Sequence, residues 1–334
     1  MTDLVAPVPF IGGKRRIRGL VWPRLGEDVP SYIEPFAGSL AMLLGRPGGA
    51  GKYETVNDRS GHIANFWRSV RADPEEVARY ADYPVSETDL YARHQALVAM
   101  IPELTQKLEQ DPDYFNAKAA GWWCWGKSCW IGDGWCEHPE WRARPEITSH
   151  NGVHAVGRQL PDISARRGVH KKMPDIHGSR GIHTASSAGI YETMERLAER
   201  LRHVRVCAGD WKRVCSSSSM GTNASGPAQG IAPCAIYLDP PYKGYEHLYG
   251  KDVASVQEEV LAFCLEYGDN ARVRIALSGY EGEYELPGWE VVAWKAHGGY
   301  ANQSKEHDNP NAHKERVWFS PHCVKLSTEW SLWG

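Results

Sequence analysis

The chain has 334 residues, and none of its apolar runs approaches the roughly 20 residues that a membrane-spanning helix needs. A role inside a bilayer is therefore not expected. The opening residues Met1-Thr2-Asp3-Leu4 lack the pattern of a signal peptide. Cysteine is sparse: eight residues are scattered along a long chain, which argues against a disulfide framework and for reduced thiols in a cytoplasmic protein. Excess positive charge is missing too. Lys and Arg number 38 against 41 Asp and Glu, a net charge of −3, so a uniformly basic nucleic-acid coat is absent and only a local basic face is open to it. Internal repeats are also absent. What remains is an ordinary globular composition, 42% hydrophobic and 24% charged, long enough for one large domain or two smaller ones. Tryptophan is the exception, with 14 residues that cluster in sequence.

The most informative segment is Asp239-Pro240-Pro241-Tyr242, preceded by the apolar, strand-like Cys234-Ala235-Ile236-Tyr237-Leu238. It puts a carboxylate, a rigid turn and an aromatic ring just past the carboxyl end of a buried strand, where open α/β sheets bind ligands. Two prolines fix φ and remove two donors, which leaves carbonyls as acceptors. Asp239 and the Pro240 carbonyl can each accept from one exocyclic amino group while Tyr242 stacks on its ring. Stacking needs the Tyr242 ring and not its hydroxyl. The bland alternative is a strand-end turn that happens to contain Asp and Pro.

Residues 1–70 form a second block. Pro9-Phe10-Ile11-Gly12-Gly13-Lys14 is a turn with paired glycines and a lysine. Ser31-Tyr32-Ile33-Glu34-Pro35-Phe36-Ala37-Gly38-Ser39 reads as a short strand, a tight turn and the start of a helix near Ser39, ending at Gly45 and Pro47. Tyr53–Asp58 reads as a second strand ending in an acid, and residues 61–80 as one helix with Ile63, Phe66, Trp67 and Val70 on its apolar face. Strand, glycine turn, helix, strand and acid is the order of a nucleotide-binding βαβ unit, with Asp58 about 20 residues after the turn, where an acid can hold ribose hydroxyls.

Residues 75–200 differ in character. Leu90, Leu97, Val98, Ile101 and Leu104 are core candidates on helix, followed by the Trp- and Cys-rich stretch 121–136. Three Trp within four residues read first as core, since they must pack on several sides, and second as contacts to DNA or an extruded base. Cys124, Cys129, Cys136 and His138 lack the usual zinc-ligand spacing, so no metal site is expected. From Trp141 to Thr184 the chain is loop-like and basic, carrying Arg142, Arg144, Arg158, Arg166, Arg167, Lys171, Lys172 and Arg180 against only Glu146, Asp162 and Asp175. This stretch is either a solvated face or a nucleic-acid contact, and it is too long for a plain connector. Ile190, Met194, Leu197 and Leu201 mark a returning helix, with Ser186 or Ser187 as its N-cap. Val204–Asp210 reads as a strand ending in an acid, residues 216–230 as a mobile Ser/Gly/Ala linker, and residues 253–267 as a helix; further strands are expected near 273–277, 289–294 and 316–319.

In kind and order these motifs resemble the Dam-type DNA adenine-N6 methyltransferases. The resemblance runs through PFIGGK (9–14), EPFAGS (34–39), VND (56–58), GDW (209–211), DPPY (239–242) and the terminal strand at Glu315-Arg316-Val317-Trp318, nearly the whole chain. It implies an α/β fold: a Rossmann-like, mostly parallel sheet with one reversed strand near the edge. Residues 1–74 and 201–334 would form the catalytic domain, with an inserted target-recognition region at 75–200. It implies S-adenosylmethionine as cofactor, held by Phe10, Gly12, Gly13, Lys14, Glu34, Pro35, Phe36, Ala37, Gly38, Ser39, Asn57, Asp58, Asp210 and Trp211. Asp239, Pro240, Pro241 and Tyr242 would hold a flipped adenine. Lys127 and the eight basic residues from Arg142 to Arg180 would contact double-stranded DNA. The family's F-x-G-x-G is Phe36-Ala37-Gly38-Ser39-Leu40 here, without the second glycine, so Ser39 is expected to begin the helix as an N-cap. Alternatives are the same chemistry on cytosine N4, a DNA-binding protein that has lost catalysis, and, more weakly, an RNA substrate. A restriction endonuclease partner is not readable from the sequence.

Overall fold

A computed structural model describes residues 4–8, 10, 13–130, 135–136, 189–222, 233–242, 253–294 and 314–326. The basic residues Arg142, Arg144, Arg158, Arg166, Arg167, Lys171, Lys172 and Arg180 lie outside them, as do Gly12 and His138. The chain divides into two units, one of residues 1–10, 59–202 and 206–209, the other of residues 11–58, 203–205 and 210–334. Among the described residues no helix is long and apolar enough to cross a membrane.

The second unit carries most of a seven-stranded sheet in the order β3-β2-β1-β4-β5-β7-β6. The strands are β1 (Ser31–Glu34), β2 (Tyr53–Asp58), β3 (Val204–Ala208), β4 (Cys234–Leu238), β5 (Val273–Tyr280), β6 (Glu290–Ala293) and β7 (Glu315–Phe319). Pairs β1–β2, β1–β4 and β4–β5 are parallel, whereas β7 runs antiparallel to both β5 and β6. The sheet is thus mixed and mostly parallel, with one reversed strand next to the edge. β4 is buried at all five positions, the continuous apolar pattern of a strand covered on both faces. The chain order turns back between β1 and β4, and a crevice at the carboxyl ends of the strands is expected at that switch point.

Among the described residues three α-helices accompany the sheet, α1 (Arg18–Leu25), α2 (Ala41–Leu44) and one over Val253–Tyr267, numbered α8 below. The Trp22 indole donates to the Met42 carbonyl at 3.0 Å, tying α1 to α2. Arg46 and Glu54 form a buried ion pair at 3.1 Å, and Arg46 also donates to the Val29 carbonyl. The stretch expected to be a mobile linker is folded in its first part. Ser216 Oγ accepts from Ser219 N, Thr222 N donates to the Ser217 carbonyl, and Met220 is buried. Local hydroxyl-to-backbone bonds gave these serines a turn, and residues 223–230 lie outside the described set.

The first unit is helical, with α3 (Gly61–Ala72), α4 (Pro74–Ala81), α5 (Glu87–Gln110), α6 (Ala117–Cys129) and α7 (Ile190–Leu201). The single helix expected over 61–80 is two. Asp73 ends α3 and caps α4 by accepting from Glu76 N at 3.1 Å, with Pro74 in the first turn where its missing N–H costs nothing. Phe66, Trp67 and Val70 are buried as expected, while Ile63 is half-buried. Leu90, Leu97, Val98 and Leu104 are core residues of α5, and Ile101 is half-buried. Ile190, Met194, Leu197 and Leu201 line the buried face of α7. Its cap position is Gly189 without a side-chain bond, and Ser186 and Ser187 lie outside the described residues.

The Trp-rich stretch is core. Trp123, Trp125, Trp130 and Trp135 are buried, and the Trp135 indole donates to the Trp123 carbonyl at 3.1 Å. His94 stacks on Trp130 with ring centroids 5.0 Å apart, and the Arg93 guanidinium lies 4.2 Å over Trp125. Gly126 lets Trp135 approach the helix: a Cβ there would fall on the indole. Cys124, Cys129 and Cys136 are buried thiols; burial pushes the Cys129 thiol up to about 12.

Candidate active site

The central cluster lies in the second unit, around the carboxyl ends of β1, β2 and β4. Register places Ile33 of β1 opposite Thr55 of β2 and Ile236 of β4. The loops that follow these three strands therefore start side by side.

After β1 the chain runs Pro35 to Leu40. Asn57 is buried and clamps this loop by donating from its side chain to the Pro35 carbonyl at 3.1 Å. Its own carbonyl accepts from Ala37 N at 2.9 Å. Asp58 Oδ2 then accepts from Gly38 N at 2.9 Å. Gly38 has φ +44°, and among the described residues no atom lies within 4 Å of where a Cβ would stand. Backbone can be approached closely there. Asp58, half-exposed beside it, combines a fixed turn with a carboxylate. Gly38 and Asp58 are the residues of this loop that could hold a hydroxyl-bearing ligand.

The helix beyond does not start on Ser39. Leu40 occupies the cap position with φ 53° and ψ 32°, in the left-handed region, and caps nothing with its side chain. This is the place of the glycine missing from F-x-G-x-G. A residue with a Cβ is held there at a cost of roughly 1–2 kcal/mol. Its fully buried side chain offsets that strain. The capping role passes to Glu34, whose Oε2 accepts from Leu43 N and from the Tyr32 hydroxyl, each at 3.0 Å. Glu34 is buried, and burial together with the nearby Asp239 charge pushes its carboxyl up to about 8, against the pull of Tyr32 and the Leu43 amide. A carboxyl expected among cofactor contacts is thus bonded inward, to its own fold.

After β4, Asp239 is half-exposed and Pro240 and Tyr242 are buried. Gln257 of α8 donates to the Pro241 carbonyl at 3.1 Å and pins the turn. Among the described residues no donor reaches the Pro240 carbonyl. Lys14, at the start of a 3-10 turn over Lys14–Ile17, is buried and places its ammonium 3.1 Å from Asp239 Oδ1 and 4.8 Å from the Tyr242 ring centroid. The Tyr242 hydroxyl donates to Asp239 Oδ1 at 3.1 Å, a bond separate from any stacking by its ring. Tyr280 of β5 packs edge-on against the Tyr242 ring at 4.6 Å. Burial and the charges of Asp239 and Glu315 hold the Tyr242 phenol well above its usual range, so it stays protonated.

Two further expected residues meet each other. Phe36 and Trp211 lie with ring centroids 5.7 Å apart, and Phe263 of α8 meets Trp211 edge-on at 5.4 Å. Asp210, exposed, caps the short turn Trp211–Arg213 by accepting from Lys212 N at 2.8 Å. Phe10 and Lys127 belong to the helical unit, Phe10 against Trp123 at 6.1 Å and Lys127 in the last turn of α6. Gly13 is exposed just before the 3-10 turn.

Motif reading placed Glu315 on the terminal strand, as the first residue of β7, but gave it no role in the site. It is buried, stands opposite Tyr280 in the antiparallel register, and lies 3.3 Å from the Tyr242 hydroxyl. Only an acid at the head of a strand that ends in Val317-Trp318-Phe319 hinted at it. Chemically, the cluster offers a carboxylate held at Oδ1 by Lys14 and the Tyr242 hydroxyl, an aromatic ring beside it, and a backbone acceptor that no donor among the described residues reaches. Compared with known proteins, the chain matches no family model and no curated protein.

Proposed function

We propose that the chain is an S-adenosylmethionine-dependent methyltransferase acting on the N6 amino group of adenine in DNA, with the base flipped out of the duplex. The observation that carries this reading is the pairing of two half-sites at the strand ends. One is Gly38 with Asp58, and the other is Asp239 with Pro240 and Tyr242. They flank the switch point where β1 and β4 run side by side. A mostly parallel sheet with one reversed strand next to the edge accords with the same reading.

When bound, S-adenosylmethionine supplies a methyl group already activated on a sulfonium. The chain's residues then orient the amine. An adenine N6 lone pair is delocalised into its ring. Asp239 and the Pro240 carbonyl accept its two hydrogens, and the pair turns toward the methyl. With the methyl passed from sulfur to nitrogen, the C–S bond broken and a neutral thioether left behind, the amine would give up one proton, which Asp239 would take. Tyr242 stacking returns about 1–3 kcal/mol of the few kcal/mol that base flipping costs. Lys14 neutralises Asp239 before the base arrives.

The test is mass spectrometry of nucleosides from DNA treated with the protein and S-adenosylmethionine. N6-methyladenine is expected from wild type and none from Asp239→Ala with unchanged fold. N4-methylcytosine would move the reading to the other exocyclic amine. No methylated nucleoside from wild type across varied DNA would refute it.

A further inference from the structure

Tyr242 Oη lies 3.1 Å from Asp239 Oδ1 and 3.3 Å from Glu315 Oε2. A phenol has one proton and can donate it to only one of these oxygens. For both contacts to be hydrogen bonds, one carboxyl must carry a proton and donate it to the phenol oxygen. The surroundings say which. Asp239 is half-exposed and ion-paired with Lys14, whereas Glu315 is 5% exposed at the head of β7. Each element around Glu315 contributes a group. The 3-10 turn brings Lys14, the end of β4 brings Asp239 and Tyr242, β5 brings Tyr280, and the chain after β5 brings Glu283. On its own strand, Arg316 is turned to Glu281 at 2.9 Å. Burial and the charges of Asp239 and Glu283 outweigh the pull of Lys14 and the Tyr242 hydroxyl, and push the Glu315 carboxyl up to about 7.

We propose that Glu315 is a positioning residue of the site: protonated, it donates to Tyr242 Oη, which commits the Tyr242 hydroxyl to Asp239 Oδ1 and leaves Oδ2 to the target amine. The inference rests on the methyltransferase reading above. When Glu315 ionises, the single phenol proton is shared between two carboxylates, and the Tyr242 hydroxyl no longer holds Asp239 continuously, which leaves Lys14 alone on Oδ1. Glu315→Gln carries a permanent amide donor and keeps the arrangement whatever the pH.

Single-turnover methyl transfer to DNA, followed against pH, reads this directly. Wild type is expected to slow as pH rises through about 7, the value to which the Glu315 carboxyl is pushed. Glu315→Gln should match wild type within about twofold at low pH and show no such decline. Glu315→Ala, which loses the donated bond but also the competing carboxylate, should be slower than wild type by up to about tenfold at low pH and show no decline as pH rises. Tyr242→Phe, which cuts the chain at its middle, should also lose the decline, and it carries the rate test if Glu315→Gln does not fold. Parallel profiles for wild type and Glu315→Gln would overturn the proposal.

A second measurement does not depend on turnover. The Glu315 carboxyl carbon, labelled and followed by NMR, should titrate near neutrality, higher in Lys14→Met and lower in Asp239→Asn. Titration in the ordinary carboxylate range would overturn the proposal even in an active enzyme. If wild type methylates no DNA, the functional reading falls, and proton ownership by Glu315 is decided by this titration.

Discussion

Glu34→Gln should make the protein more stable at alkaline pH, against the usual expectation for removing a charged residue. In the fold the Glu34 carboxyl is raised from 4.5 to about 8. Between those values the native state binds a proton that the unfolded chain has released, so stability falls as pH rises through the window. A tenfold difference in proton affinity is worth about 1.4 kcal/mol, which sets a ceiling on the order of 5 kcal/mol for this group. Below the window glutamine and neutral glutamate are near-isosteric. Glutamine's oxygen can accept from Leu43 N and the Tyr32 hydroxyl as Glu34 does, so the variant should match wild type there. Above about pH 8 wild type must either ionise a buried acid or open the α2 turn, and the variant does neither. His62, lowered to about 4 by burial, works in the opposite direction: its contribution is present above 6.5 and is lost as pH falls. The useful quantity is therefore the difference between variant and wild type at each pH, which cancels His62. Urea unfolding followed by circular dichroism from about pH 5 to 9 supplies it. Parallel stability curves would refute the claim that Glu34 holds its proton, and a variant markedly weaker at low pH would show that the carboxylate itself is required.

Asp58→Asn retains an oxygen for Gly38 N but loses the charge, so calorimetry should show S-adenosylmethionine binding weakened about tenfold or more with the fold intact. Unchanged affinity would remove the ribose assignment. Gly126→Ala drives a methyl into the Trp135 ring and should cost about 1–3 kcal/mol, read as a lower urea midpoint. An unaffected midpoint would mean Trp135 is loosely held. Neutralising Arg166, Arg167, Lys171 and Lys172 together should weaken DNA binding across sequences and flatten log K against log salt by at most about 0.9 for each phosphate left without its cation. An unaltered slope would leave that stretch a solvated loop.

Much of the frame was legible in the pattern of residues. β2 and α8 occupy the spans read from hydrophobic period and flanking turn residues, and the strand before Asp239 is the buried run it looked to be. Where the reading failed, a local competitor won. Asp73-Pro74 is a helix stop followed by a start, and it outweighed the continuous periodicity across 61–80. Ser39 resembles a cap in sequence, yet the capping oxygen comes from Glu34, which no local rule could supply. The hydroxyls near Ser216 found partners within a few residues and made turns where composition suggested slack.

The sequence by itself determined which residues face inward along each strand and helix, and where a carboxylate, two prolines and a tyrosine would stand together, because those properties depend on neighbours a few residues away. Only the tertiary structure decided that Lys14, Asp239, Tyr242 and Glu315 meet. Strand periodicity says which face a side chain takes but not which strand lies beside it. That was set by the turn-back between β1 and β4 and by the reversal of β7, which puts its first residue opposite the last residue of β5. The same packing removes water from the acids, and their proton affinities at this site follow from burial and from charges that lie far away along the chain.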